Sequence, residues 1–263
     1  MPQKKLAKTI LQCKDMLVKF GQFTAINSFS FTIKEGELHF LIGPNGAGKT
    51  TFLDVLCGKT RCQSGEVYFN DHEDLTKLKE FEIVRKGIGR KFQAPSIFPH
   101  LTVYENLEIA MKQDKRLLKI LFAKTTKKQH DEIEQQLNQI GLLQQCEVEA
   151  RALSHGQKQW LEIGMVMMQQ PKLLLLDEPI AGMTEEEEEK TGHLLQQLKK
   201  KCSIIVVEHD MDFVRKFAEK VTVMHEGRLL CDGEMDVIQK NEQVMEVYLG
   251  RKGEKSDVAY TTA

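Results

Sequence analysis

Gly43-Pro44-Asn45-Gly46-Ala47-Gly48-Lys49-Thr50-Thr51 lies between an apolar run, Leu38 to Ile42, and the sequence Phe52-Leu53-Asp54-Val55-Leu56. The first flank reads as a buried strand and the second as a helix. A glycine, four residues, then Gly-Lys-Thr is the spacing of a phosphate-binding P-loop. The residue types follow from the chemistry. Glycines without a Cβ let several backbone N–H groups curl round a phosphate, and the helix that follows aims its positive end at the same point. Lys49 is placed to reach the β- and γ-phosphates, and Thr50 to offer its hydroxyl to Mg²⁺. A glycine-rich turn that merely precedes Lys-Thr is the alternative, and the strand before and helix after weigh against it. The stretch predicts binding of a nucleoside triphosphate.

Working outward, the 263 residues suffice for one large α/β domain or a core with a smaller lobe. Hydrophobic content of 41% with 29% charged residues is ordinary for a globular chain. With 37 basic and 38 acidic residues the net charge is −1, so no global field draws in nucleic acid or anionic lipid. Cys13, Cys57, Cys62, Cys146, Cys202 and Cys231 are scattered without a Cys-x-x-Cys pair. They read as reduced structural thiols of a cytosolic protein, in keeping with a start, Met-Pro-Gln-Lys-Lys, that lacks a signal core. No run approaches the ~18 consecutive apolar residues of a membrane span. Work at a membrane is therefore expected to go through a partner.

Ahead of the P-loop, Leu17 to Ile42 suggests antiparallel strands, with Phe29, Phe31 and Ile33 on one face and a turn at Lys34-Glu35-Gly36 from which the chain returns into the P-loop strand. Phe20 before Gly21 could stack on a purine base or equally be a core aromatic. Gly65 to Phe69 is a further strand closed by Asn70-Asp71. Gln93 lies where a strand-like run gives way to a loop. Thr102 and Glu105 form a capping-box pattern, and about Asn106 to Cys146 reads as helix. Lys112 to Lys128 is strongly basic, best read as the solvated face of an amphipathic helix.

In the second half, Leu173 to Leu176 runs into Asp177-Glu178-Pro179, and Ser203 to Val207 runs into Glu208-His209-Asp210. Both resemble buried parallel strands whose carboxyl ends present polar residues, where ligands bind in open α/β sheets. Thr184 and Glu187 could cap a helix whose five consecutive acids, Glu185 to Glu189, suit a helix N-terminus without a metal. Val221 to Met224 and Gly227 to Leu230 suggest a closing pair of strands. The segment Leu153-Ser154-His155-Gly156-Gln157 has the Ser-x-x-Gln spacing of another helix start, with a hydroxyl and N–H groups facing outward as an anion site.

The order of these motifs resembles the ATP-binding subunits of ABC transporters, over about residues 6 to 250. The resemblance implies a P-loop ABC cassette: an α/β core of mostly parallel sheet (6–92 and 166–250), an N-terminal antiparallel β lobe, an inserted helical lobe (93–165) and a mobile tail (251–263). It implies that the P-loop of one subunit and the signature loop of a second enclose one ATP in a head-to-tail dimer. Phe20 resembles the aromatic that stacks on adenine. Gln93 resembles the loop glutamine that contacts Mg²⁺ and the attacking water and senses the transmembrane partner. Ser154, Gly156 and Gln157 match the signature, with His155 in place of the commoner glycine. Asp177 would hold Mg²⁺, Glu178 would orient or deprotonate the water, and His209 would contact the γ-phosphate. Ala181 to Thr184 falls at the loop that crosses the dimer interface, with Thr184 where the family usually has an acid.

The run from Phe98 to Leu107 and the large helical insert look like the branched-chain amino-acid importer group. Within it, Leu153 to Gly164, Glu178 to Thr184 and Glu246 to Arg251 resemble the ATP-binding subunit of urea importers. The expected function is thus Mg²⁺-dependent ATP hydrolysis powering an importer, for urea first and a branched-chain amino acid or short amide second. Implied partners are transmembrane permease subunits, a second identical or related cassette, and indirectly a solute-binding protein, at the cytoplasmic face of a membrane. A soluble ABC-type ATPase on ribosomes or DNA would be expected to carry paired cassettes or a basic surface. A non-catalytic regulator would be expected to lack Glu178 or His209.

Overall fold

The computed structural model describes residues 8–91, 97–111 and 126–249. Gln93, most of the basic run and the tail after 250 lie outside the described residues.

Two sheets carry the fold. The first is four-stranded and antiparallel, in the order β2 (Phe23–Lys34), β1 (Thr9–Phe20), β4 (Ser64–Phe69) and β5 (Glu73–Asp74). The second has six strands, in the order β10 (Arg228–Gly233), β9 (Lys220–His225), β3 (Leu38–Ile42), β8 (Ser203–Val207), β7 (Leu173–Asp177) and β6 (Ile88–Lys91). All its neighbours pair in parallel except β9 with β10. The mixed architecture expected from the sequence is present.

One expectation is corrected here. The turn at 34–36 does not fold β2 back against the P-loop strand; it passes the chain from the first sheet to the second, where β3 pairs with β8 and β9. The apolar character of β3 explains this. Leu38, Phe40 and Ile42 enter one buried cluster while Leu41 enters another, so the strand is covered on both faces. β7 and β8 divide in the same way: Leu174, Leu176, Ile204 and Val206 face one core, and Leu173, Leu175, Ile205 and Val207 the other.

Helix α1 (Lys49–Leu56) and the antiparallel sheet cover one face through Phe29, Phe31, Phe52 and Leu53. Phe31 and Phe52 meet edge-on with ring centroids 5.1 Å apart. The other cluster draws together α3 (Val103–Ala110), α4 (Lys127–Gln139), α5 (His155–Met167), α6 (Glu185–Leu198) and α7 (Met211–Phe217). Short α2 (Glu80–Lys86) precedes β6. The helical stretch expected from Asn106 to Cys146 is broken: α3 ends at Ala110, and α4 stops before Gly141, whose φ of 72° is left-handed.

Candidate functional site: a nucleotide cradle at the carboxyl ends of the strands

Because β3, β8 and β7 are neighbours running in parallel, their carboxyl ends bring the P-loop, Glu208-His209 and Asp177-Glu178 together. The P-loop is gripped by its surroundings. A Cβ built on Gly43 would lie 2.1 Å from the Met224 carbonyl oxygen of β9, and one on Gly48 would lie 2.5 Å from the Ala25 carbonyl oxygen of β2. Gly46 has open space, but its φ of 79° disfavours a side chain. The Gly227 N–H, at the tip of the β9–β10 turn, donates to the Ala47 carbonyl at 2.9 Å.

Helix α1 starts at Gly48 with no side-chain cap, whereas α3, α5 and α6 start with reciprocal capping boxes at Thr102, Ser154 and Thr184. Its first N–H groups are thus left for an incoming anion. Asn45, Gly46 and Thr50 are exposed, and Thr51 and Pro44 half-buried. Lys49 is buried, and its ammonium donates to the carbonyls of Gly43 at 2.6 Å and Pro44 at 3.0 Å. Burial lowers its pKa, while the nearby carboxylates of Glu178, Asp177 and Glu208 oppose that shift.

Asp177 is 1% exposed at the end of β7. Burial raises its pKa, against the pull of Arg90, whose guanidinium donates to Oδ2 at 3.1 Å. Its Oδ1 has no hydrogen-bond partner among the described residues. A buried carboxylate oxygen left open at the strand end and the exposed hydroxyl of Thr50 at the start of α1 are the kinds of oxygen donor that a hard cation such as Mg²⁺ takes.

Glu178 has a left-handed backbone, φ 48°, held by its N–H donating to Val207 at 2.9 Å. Non-glycine residues in this region carry strain of roughly 1–2 kcal/mol. The twist turns the carboxylate toward His209, whose Nδ1 lies 3.3 Å from Glu178 Oε1. Phe20 is 53% exposed at the end of β1, which removes the core-aromatic alternative.

The signature segment forms the helix start expected of it, with a difference. Ser154 caps α5 through the Gln157 N–H at 3.2 Å, and its own N–H donates to Gln157 Oε1 at 3.0 Å. The Ser154 hydroxyl is already engaged, donating to Glu187 Oε1 at 3.0 Å. That carboxylate lies where a Cβ on Gly156 would meet it at 2.5 Å. His155 reaches the Ala181 carbonyl at 3.0 Å, a contact glycine could not make. Thr184 is the N-cap of α6, its hydroxyl accepting from Glu187 N–H.

Two charged residues were given no role of their own by the sequence reading. Arg90 sits between Asp54 and Asp177. Glu208 is 1% exposed and accepts from the Ile180 and His209 N–H groups at 3.3 and 3.2 Å. Burial pushes its pKa up to about 7. Its signal was visible only as the first polar residue after an apolar strand.

Residues 26–181 match the family model described as ABC transporter. The chain is 33% identical over 254 residues to the high-affinity branched-chain amino acid transport ATP-binding protein LivG of Salmonella typhimurium, covering 93% of this chain and 99% of that one. It is 32% identical over 255 residues to the similarly described BraF of Pseudomonas aeruginosa, again covering 93% and 99%. Among solved structures, an ATP-binding cassette of an ABC transporter in its ADP conformation is similar, with a TM-score of 0.79, 30% identity and coverage of 92% and 99%. So is a dimeric cassette bound to ADP and Pi, at a TM-score of 0.71, 25% identity and coverage of 86% and 99%.

Proposed function

This chain belongs to the ABC transporter family, and from that premise we propose how its site works and what it serves. It is the ATP-hydrolysing subunit of an importer. The observation that carries the site assignment is the adjacency of the P-loop, Asp177-Glu178 and His209 on neighbouring strand ends. In our reading the exposed ring of Phe20 stacks on the base. The N–H groups from Gly43 to Thr51 wrap the phosphates, and Lys49 leaves the Gly43 and Pro44 carbonyls for them. Thr50 and Asp177, with Gln93, would hold Mg²⁺, which would neutralise phosphate charge when bound. Glu178 orients or deprotonates the attacking water, and His209 holds Glu178 and then the γ-phosphate. Ser154, Gly156 and Gln157 serve the nucleotide of a second cassette across a head-to-tail dimer.

No helix among the described residues is long and apolar enough to cross a membrane. We assign membrane attachment to permease subunits on the cytoplasmic side, docking where a groove of about 390 Å³ opens between α2, β6 and α5. Ile83, Val84, Met165 and Val166 give it apolar walls, and Phe81 and Val84 of α2 are 53% and 55% exposed. Closure on ATP would then move the helical lobe (93–165) against the core and pull on the permease. A solute-binding protein would deliver cargo to that permease.

For cargo, the relatives' descriptions reverse the order read from the sequence. They support a branched-chain amino acid ahead of urea. The test is uptake in cells whose copy carries Glu178→Gln, with labelled leucine beside labelled urea. We expect ATP binding to persist and leucine uptake to fall to background with urea uptake intact. Loss of urea uptake alone would restore the urea assignment, and brisk hydrolysis by the variant would remove Glu178 from its role.

A further inference from the structure

Arg90 is a buried cation beside the site to which neither the motifs nor the relatives' descriptions give a role. It stands on β6 in register with Leu175 of β7, two residues before Asp177 and on the same face of the sheet. Its side chain is 4% exposed. Nη1 donates to Asp54 Oδ1 at 2.6 Å and Nη2 to Asp177 Oδ2 at 3.1 Å. The Cys57 sulfur, just past the end of α1, accepts a hydrogen bond from it.

Asp54 follows Thr50 by four residues on α1, so the two share one helix face, a turn apart. The guanidinium therefore ties the face of α1 that carries Thr50 to the strand end that carries Asp177. A planar fork fixes the directions of its two prongs, which a lysine ammonium does not. One Asp177 oxygen is clamped while Oδ1 stays open among the described residues. We infer that Arg90 is a positioning residue for the divalent cation: a cross-brace that sets the spacing of Thr50 and Asp177 and presents Asp177 Oδ1. The inference rests on the reading that those two residues take Mg²⁺. A purely structural ion pair would hold the two elements together without favouring metal over nucleotide, and that difference is measurable.

The experiment uses the full chain with Arg90→Lys, the non-hydrolysable analogue AMP-PNP and Mn²⁺ as a paramagnetic probe. Circular dichroism and the unfolding midpoint are recorded first, without nucleotide. We expect AMP-PNP binding in EDTA to match the parent, and Mn²⁺ affinity of the AMP-PNP complex to weaken about tenfold, as for other losses of support to a metal ligand. A folded Arg90→Lys protein with unchanged Mn²⁺ affinity would overturn the brace. Should that variant fail to fold, Asp54→Asn releases only the α1 end. Weaker Mn²⁺ binding with nucleotide binding intact would then support the brace, and unchanged Mn²⁺ binding would overturn it. Thr50→Ala and Asp177→Asn serve as controls. Mn²⁺ affinity indifferent to both would place the fault in the metal reading itself, and the brace would fall with it.

Discussion

Glu208 directly follows β8 with its carboxyl buried, between the Ile180 and His209 N–H groups that bond to it. Those bonds favour the ion, but burial outweighs them and lifts the pKa from 4.5 to about 7. The folded chain therefore holds this proton more tightly than the unfolded chain. Below pH ~4.5 both states are protonated and the group is neutral to stability; as pH rises through about 7 the folded state loses up to ~3 kcal/mol. Glu208→Gln should remove this term. We expect urea unfolding without nucleotide to show the variant gaining on the parent between pH 4.5 and pH 8. A stability difference constant across that window would rule the assignment out. The sequence marked position 208 as polar at a strand end, but charge on a buried carboxyl depends on what closes over it. Arg90 was hidden for the same reason. Its partners are 36 and 87 residues away, and only the sheet order makes them neighbours.

At the scale of elements, the junction from β3 to α1 is squeezed between two other strands, and the glycines differ in what they tolerate. Gly46→Ala meets no atom, so only its left-handed backbone resists, at roughly 1–2 kcal/mol. Gly48→Ala adds a Cβ 2.5 Å from the Ala25 carbonyl, and Gly43→Ala one 2.1 Å from that of Met224. Both should cost more, of the order of 3 kcal/mol, because main chain must move. Denaturant midpoints of the three variants should rank in that order; equal losses would mean that the grip on the loop is slack. This junction was legible because a P-loop writes its turn, lysine and helix start within nine consecutive residues. Capping boxes at Thr102, Ser154 and Thr184 were legible likewise, each closing within one helical turn. The sheet to which β3 belongs was not. An apolar run says that both faces are covered, without saying by which strands.

At the scale of the whole molecule, the proposal that one nucleotide is shared between the P-loop of one subunit and the signature segment of another makes a prediction of its own. Ser154 spends its hydrogen bonds on Gln157 and Glu187, and Lys49 spends its own on the P-loop. In a head-to-tail dimer, Lys49→Ala and Ser154→Ala subunits each make inactive like-with-like pairs. A mixed pair gathers both lesions into one composite site and leaves the other intact. We expect mixed dimers to recover ATPase activity that neither parent shows; a mixture no better than its parents would exclude shared sites. The Glu187 carboxylate beneath Ser154 adds a further consequence. A helix end that already holds its own counter-ion has little to offer a stray phosphate or sulfate from solution. We expect an anion held in place by a docked second subunit to displace it where a free one does not, so that millimolar phosphate or sulfate alone should leave this helix end unoccupied.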